Sequence, residues 1–172
     1  MKKHILLVGL PGSGKTTVGR QVAEHLGAAF IDTDNMIVRK MQMPITRIFG
    51  EFGEPKFREL EREAMAAALE GPPSIIAPGG GWVCQPGQLD LAKTSSLVIY
   101  IRTMVLTAAK RAGGDGTRPL LVGEDPVETM RQLLKERESF FLQADCEVKA
   151  DIKNAAQVAE EILALAHERA GW

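Results

Sequence analysis

The segment GLPGSGKTT near the amino terminus has the residue types and spacing of a loop that binds phosphate. Its glycines, Gly9, Gly12 and Gly14, let the backbone turn tightly and bring N–H groups close to phosphate oxygens. Lys15 can reach the β and γ phosphates of a nucleotide, and the Thr16 hydroxyl can ligate Mg²⁺. An apolar run precedes this loop and an amphipathic pattern follows it, so a helix N-terminus adds its dipole to the site. The sequence therefore predicts a nucleotide-binding site.

Two aspartates, Asp32 and Asp34, follow the second apolar run of the chain. The ends of parallel strands point their loops at the ligand crevice, so both carboxylates are expected near the phosphate loop. Asp32 could hold Mg²⁺, directly or through water, and Asp34 could accept a hydrogen bond from an attacking hydroxyl. The alternative is that one of them caps the following helix. The D-x-x-G and N-K-x-D motifs of GTP switches are absent from the sequence.

Two arginines are candidates for binding an anion. Arg58 borders the apolar stripe of a helix predicted from Pro55, and by itself the pattern favours an exposed ion pair with Glu54. Arg137 interrupts the core stripe of a later helix, where a buried guanidinium is costly unless an anion pairs with it. The pattern leaves open whether Arg137 extends to solvent or faces a pocket. If both arginines face a pocket, their planar groups suit a carboxylate.

Two glycine-rich segments complete the set of candidates. The triple glycine 79–81 follows the third apolar run and allows backbone to pack against a small ligand, although a tight turn would need the same residues. The irregular segment 112–125 is predicted to be a mobile lid. Its Arg118 could close over the nucleotide, or could be a solvated loop residue.

The elements that must position these residues alternate between strands and helices. Apolar runs predict strands at 4–8, 28–31, 74–77, 96–101 and 146–150. Helical patterns occupy 15–26, 34–41, 55–70, 104–112, 126–144 and 154–169. This alternation predicts an α/β fold with a parallel sheet covered by helices on both faces. At 172 residues the chain suits a single domain, 1–172.

The composition predicts a cytoplasmic protein with reduced thiols. Apolar residues make up 45% and charged residues 25% of the chain, and the formal net charge of −1 argues against sequence-independent binding to nucleic acid. Cys84 and Cys146 have no metal-ligand spacing, and no stretch is long enough to span a membrane. The sequence leaves no room for a signal peptide before the first predicted strand, and nothing in it demands an oligomer, so a monomer is expected.

Taken together, these motifs resemble the shikimate kinase family over nearly the whole chain. The resemblance is carried by the phosphate loop, the IDTD pair, the run ITRIFGEFGEPKFRELE, the triple glycine, and RAGGDGTRPLL. It implies a five-stranded parallel sheet in the order 2-3-1-4-5 and a phosphate-loop fold. It also implies transfer of phosphate from MgATP to the 3-hydroxyl of shikimate, in the pathway to chorismate and the aromatic amino acids.

The resemblance also implies a role for each site residue. The catalytic residues would be Lys15, Asp34 and Arg118, and Mg²⁺ would be held by Thr16 and Asp32. ATP would be bound by Gly12, Ser13, Gly14, Lys15, Thr16, Thr17, Arg111, Arg118 and Asn154. Shikimate would be bound within a region around 33–61 and beyond it, by Asp34, Phe49, Phe57, Arg58, Glu61, Gly79, Gly80, Gly81 and Arg137.

Three residues depart from the family pattern: Phe141 stands where many members have tyrosine, Pro78 where serine or threonine is common, and Trp82 follows the glycines. A lost hydroxyl at 141 removes at most one hydrogen bond, so these departures bear on affinity rather than on identity. The alternatives are a kinase for another polyhydroxy acid such as gluconate, a nucleotide kinase, or a nucleotide-binding module without catalysis. Intact Lys15, Asp34 and Arg118 speak against the last of these.

Overall fold

The protein is built around one parallel β-sheet. The computed structural model describes residues 1–112 and 125–172. The strands are β1 (His4–Val8), β2 (Phe30–Asp32), β3 (Ile75–Ala77), β4 (Ser96–Arg102) and β5 (Cys146–Lys149). They lie in the order β2-β3-β1-β4-β5, and every neighbouring pair is parallel. The predicted fold class and strand order are confirmed.

Seven α-helices surround the sheet in the described part of the chain. They are α1 (Lys15–Leu26), α2 (Thr33–Met41), α3 (Ile45–Glu70), α4 (Gln88–Lys93), α5 (Val105–Ala112), α6 (Pro126–Phe141) and α7 (Ala155–Arg169). A 3₁₀ turn at Trp82–Cys84 precedes α4. Neither this turn nor α4 was predicted, and α3 begins ten residues before the predicted start. The pattern at Pro55 was correct in one respect, because non-helical Gly53 (φ 81°) breaks α3 just before that proline.

The strand side chains alternate between two cores, one on each face of the sheet. Leu6 and Val8 pack on the side of α3, α5 and α6, together with Met65, Ala108 and Met130. Ile5 and Leu7 point to the other face, where they meet Val18 and Val22 of α1 and Val158 and Ile162 of α7. Both faces of the sheet are thus covered, which is why the strands read as continuous apolar runs.

A third, smaller core lies between α2 and α3, and is formed by Ile37, Ile48, Phe57, Leu60 and Ala64. It holds the α2–α3 segment beside the carboxyl edge of the sheet. In the strand register Asp32 pairs with Ala77, so the chain leaves β2 and β3 at the same edge. The described residues include no helix with the length and apolarity needed to cross a bilayer.

Candidate active site

The phosphate loop connects β1 to α1 and encloses the Lys15 side chain, which is 7% exposed. Its Nζ donates to the carbonyl oxygens of Gly9 and Leu10 at 2.8 Å each, and to Oγ of Ser13 at 3.4 Å. Gly14 has a φ of 92°, a conformation that favours glycine. The lysine ammonium is therefore held inside the loop, at the position from which it can meet phosphate oxygens.

The N-terminus of α1 is open to an anion. Its N-cap is Gly14, which offers no side-chain cap, and the first turn contains no acidic residue. The first N–H groups of a helix lack partners within the helix, and its dipole favours negative charge there. Thr16 and Thr17 are exposed at this end. The geometry fits a phosphate group on the loop and the helix together.

Asp32 caps α2. Its Oδ1 accepts from the backbone N–H groups of Asp34 at 3.0 Å and Asn35 at 3.3 Å. The capping alternative considered from the sequence is therefore realised by Asp32. Asp34 lies in the first turn of α2, and its carboxylate faces the loop after β3.

Gly79 is in direct contact with two carboxylates. A Cβ added at Gly79 would lie 2.6 Å from Oε1 of Glu61 and 2.8 Å from Oδ1 of Asp34. Real Cβ atoms do not approach other atoms so closely, so a larger residue at position 79 would have to displace these carboxylates from where they lie.

The next two glycines are in contact with two guanidinium groups. A Cβ at Gly80 would lie 2.7 Å from Nη1 of Arg137, and one at Gly81 would lie 2.5 Å from Nη1 of Arg58. The same Gly80 Cβ would be 3.7 Å from the carbonyl oxygen of Gly9. The triple glycine therefore brings two cations and two carboxylates together beside the phosphate loop.

Arg58 and Glu61 form a largely buried ion pair. Nη1 of Arg58 donates to Oε2 of Glu61 at 2.7 Å, and the two side chains are 20% and 1% exposed. Burial raises the pKa of Glu61 to about 7, an effect that Arg58 opposes and Asp34 reinforces. Arg58 also donates to Glu54 at 3.2 Å, which is the pair expected from the sequence. Burial lowers the pKa of the guanidinium, but the two glutamates outweigh it and the pKa is raised.

Arg137 is buried, at 6% exposure, and so does not extend to solvent. Burial lowers the pKa of its guanidinium, against the opposing effect of nearby Cys84. Within residues 1–112 and 125–172 its side chain forms no ion pair of 4.0 Å or less and no hydrogen bond. A buried cation of this kind is costly until an anion reaches it. This is the feature of the site that most directly indicates an anionic ligand.

Two phenylalanines of α3, Phe49 and Phe57, pack against each other next to Arg58. Phe57 is 5% exposed and its ring centroid lies 4.6 Å from that of Phe49. The Arg58 guanidinium carbon lies 5.6 Å from the Phe57 centroid. The Phe57 ring therefore gives the Arg58 guanidinium an apolar support on the side of α3.

A cavity of about 240 Å³ lies on the other side of the phosphate loop. It is lined by Ser13, Gly14, Thr17, Val18, Arg111, Ala150, Lys153, Ala155 and Val158. Asn154 lies between two of these residues and caps α7 by accepting from Gln157 N–H at 2.9 Å. Arg118, the predicted lid arginine, falls outside the described residues, as does nearly all of the predicted lid.

Gln85 reaches the site, although no motif or periodicity in the sequence points to it. Its Nε2 donates to Oε2 of Glu61 at 3.0 Å. The three departures from the family pattern are buried: Trp82 and Pro78 lie in or beside the core, and Phe141 stacks on Tyr100 with centroids 5.1 Å apart.

Comparisons with known proteins agree on one family. Residues 11–167 match the family model for shikimate kinase. A shikimate kinase from Moorella thermoacetica is 42% identical over 94% of this chain and 93% of its own length. The crystal structure of a shikimate kinase from Acinetobacter baumannii in complex with shikimate superposes with a TM-score of 0.93, at 35% identity, over 98% of this chain and 94% of that one. A gluconokinase from Sinorhizobium meliloti shares the fold, with a TM-score of 0.65 at 17% identity over 99% of this chain and 94% of its own.

Proposed function

The chain belongs to the shikimate kinase family, and we propose that its two clustered arginines bind the carboxylate of shikimate while ATP phosphorylates the 3-hydroxyl. The protein is an ATP-dependent shikimate kinase, which produces shikimate 3-phosphate and ADP on the route to chorismate. The observation that carries the assignment of the arginines is the buried Arg137 guanidinium in contact with Gly80, next to the phosphate loop.

The acceptor binds between the triple glycine and α3 in this proposal. Arg137 and Arg58 meet the carboxylate of shikimate, since a planar guanidinium matches a carboxylate with two parallel hydrogen bonds. Asp34 accepts a hydrogen bond from the attacking hydroxyl and orients it, or takes its proton. Phe49 and Phe57 border the ring, and Glu61 supports Arg58.

The donor binds on the phosphate loop. Lys15 and the N-terminus of α1 hold the phosphates, which requires the ammonium to exchange carbonyl partners for phosphate oxygens. The adenine occupies the cavity beside Arg111 and Asn154, and Arg118 closes over the phosphates. Catalysis then comes mainly from alignment and neutralisation of charge.

Magnesium fits the residues at this end of the site. Thr16 and Asp32 supply only oxygen atoms, the ligands that Mg²⁺ prefers, and the ion commonly takes one or two protein ligands alongside substrate phosphates. Asp32 retains a carboxylate oxygen that α2 does not use for its cap. When bound, the ion neutralises charge on the phosphates.

The first test is MgATP-dependent formation of ADP with shikimate, with gluconate, with a nucleoside monophosphate and without an acceptor. Turnover that requires shikimate supports the proposal. Turnover with a different acceptor would mean that the arginines bind another anion, and no turnover despite ATP binding would favour a module without catalysis. We also propose that the protein is a cytoplasmic monomer organised as a single domain. Size-exclusion chromatography with light scattering measures its molar mass and so tests whether it is a monomer.

A further inference from the structure

The carboxylate of Glu61 is held from two sides. Arg58 donates to its Oε2 from one turn earlier on α3, and the side-chain amide of Gln85 donates to the same oxygen at 3.0 Å from the segment after the triple glycine. Oε1 of the same carboxylate is the atom that packs on Gly79. Glu61 itself is 1% exposed, so its carboxylate is hydrogen-bonded to these protein groups and not to solvent.

Gln85 is well placed to be a rigid donor. Its backbone N–H donates to the carbonyl of Trp82 at 3.0 Å, and its own carbonyl accepts from Gln88 at 3.2 Å. Its side-chain oxygen accepts from Nη1 of Arg62 at 2.6 Å. That last contact fixes which end of the amide is which, because only the NH₂ group can then face the Glu61 carboxylate.

We propose that Gln85 is a positioning residue for the acceptor site, whose amide holds the Glu61 carboxylate where it directs Arg58 toward the carboxylate of shikimate. This role rests on the proposed function, since it assigns Arg58 to shikimate. The amide donor stabilises the ionised form of Glu61, and an ionised Glu61 is the form that pairs with Arg58. Without that donor, the Glu61 carboxyl group would hold its proton to higher pH, and Arg58 would lose the ionised form of the nearer of its two glutamate partners.

The charged groups around Glu61 give this role its pH dependence. Arg58 on α3 and Arg137 on α6 favour the ionised form, whereas Asp34 on α2 opposes it. Because the pKa of Glu61 is already raised to about 7, a modest change in its hydrogen bonding alters its ionisation at neutral pH. A neutral donor such as Gln85 is therefore able to tune the site without adding charge.

The test compares Gln85→Leu with the matched control Gln88→Leu. Gln88 lies at the start of α4 and makes no side-chain hydrogen bond in the described part of the chain. In Gln85→Leu the acidic limb of kcat/KM for shikimate should move to higher pH, and KM for shikimate near neutral pH should rise roughly fivefold, with KM for ATP within about twofold. The control should change neither. In a Glu61→Gln background, Gln85→Leu should no longer move the limb.

Two kinetic results would overturn the proposal. One is an unchanged acidic limb and shikimate KM in Gln85→Leu. The other is an equal rise of both KM values together with a lower melting temperature, which indicates a merely structural residue. Carbon-13 NMR titration of Glu61 without ligands separates this proposal from the proposed function. If the unchanged protein does not phosphorylate shikimate, the proposed function is wrong. A higher Glu61 pKa in Gln85→Leu would still show that the Gln85 amide stabilises the Glu61 carboxylate. An equal Glu61 pKa in the two proteins would overturn the role of Gln85.

Discussion

Gly81 and Arg58 are in such close contact that any side chain at position 81 would have to displace the Arg58 guanidinium. An added Cβ would lie 2.5 Å from Nη1 and 2.8 Å from Cζ of Arg58. The backbone of Gly81 has φ −90° and ψ −11°, which any residue can adopt. The glycine therefore matters for space and not for conformation, because the observed position of the guanidinium depends on the absence of a side chain at 81.

Gly81→Ala should displace Arg58 without disturbing the fold. We expect KM for shikimate to rise roughly tenfold or more, because the charged contact of Arg58 with the shikimate carboxylate contributes much of the binding and is lost when Arg58 moves. KM for ATP should change little. Steady-state kinetics with each substrate varied measures both. The matched control is Gly50→Ala in α3, where a Cβ meets nothing within 4 Å. If the two variants bind shikimate equally well, the contact does not position Arg58 for the acceptor.

Arg137→Met should separate stability from binding. Burial without an ion-pair partner in the described structure makes this cation costly, and an apolar side chain of similar length removes that cost. We expect a free energy of unfolding that is equal or higher, and a shikimate affinity that is lower by roughly a hundredfold.

Chemical denaturation and ligand titration measure the two effects of Arg137→Met. Arg131→Met serves as the control, because Arg131 lies on the same helix with a side chain that is 62% exposed. A loss of several kcal/mol of stability in Arg137→Met alone would show that Arg137 is structural.

Glu61→Gln should change how stability depends on pH. In the folded protein the pKa of Glu61 is raised to about 7, whereas the ordinary pKa of a glutamate side chain is 4.5. Stability from this group is full below pH 4.5 and is lost as pH rises through the folded pKa, since only the folded state still binds the proton in that window.

Glutamine does not titrate, so the variant escapes that loss. The difference in free energy of unfolding, variant minus unchanged protein, should therefore shift in favour of the variant by about 3 kcal/mol as the pH rises from acidic to mildly alkaline. Denaturation at a series of pH values measures this, and Glu59→Gln, an exposed carboxylate of the same helix, gives the baseline. A constant difference across the series would contradict a raised pKa at Glu61.

Asp32 has a capping role that can be separated from its proposed metal role. Asparagine is as good an N-cap as aspartate but lacks the charge, so Asp32→Asn should keep the melting temperature and raise the Mg²⁺ concentration needed for half-maximal activity. Asp32→Ala should lose both the helix cap and the magnesium ligand, with a stability cost of about 1 kcal/mol from the missing cap. Thermal melts and magnesium titrations of the two variants test this, and equal magnesium dependence in all three proteins would remove Asp32 from metal binding.

The sheet and the edge that carries the site could be predicted from the sequence because they depend on local signals. Alternation of apolar runs with helical patterns predicts the parallel sheet, and the strand ends locate Asp34 and the triple glycine. The strand order came from the family resemblance and not from the alternation. The phosphate loop is recognisable because the glycines, the lysine and the threonine that bind phosphate and magnesium are close together in the sequence.

Other features depend on contacts between distant residues, which no local pattern reports. The periodicity around Arg137 left burial and exposure equally open, and the packing of α6 on the glycines decides it. Gln85 lies in a segment without periodicity, 24 residues from Glu61, so nothing in the sequence indicates that they meet. The helix before Gly53 was missed because Pro55 is a strong helix-start signal and conceals a shorter helix upstream.

The separate small core between α2 and α3 has a consequence for how the molecule opens. Ile37, Ile48 and Phe57 pack with one another and not with the two cores of the sheet, and Gly53 interrupts α3 between them. Such a segment is able to unfold as its own cooperative unit, at a lower free energy than the strands. We expect its backbone amides to exchange with deuterium well before those of β1 and β4. Shikimate bound to Asp34 and Arg58 would slow that exchange, so the acceptor would complete the folding of its own binding site.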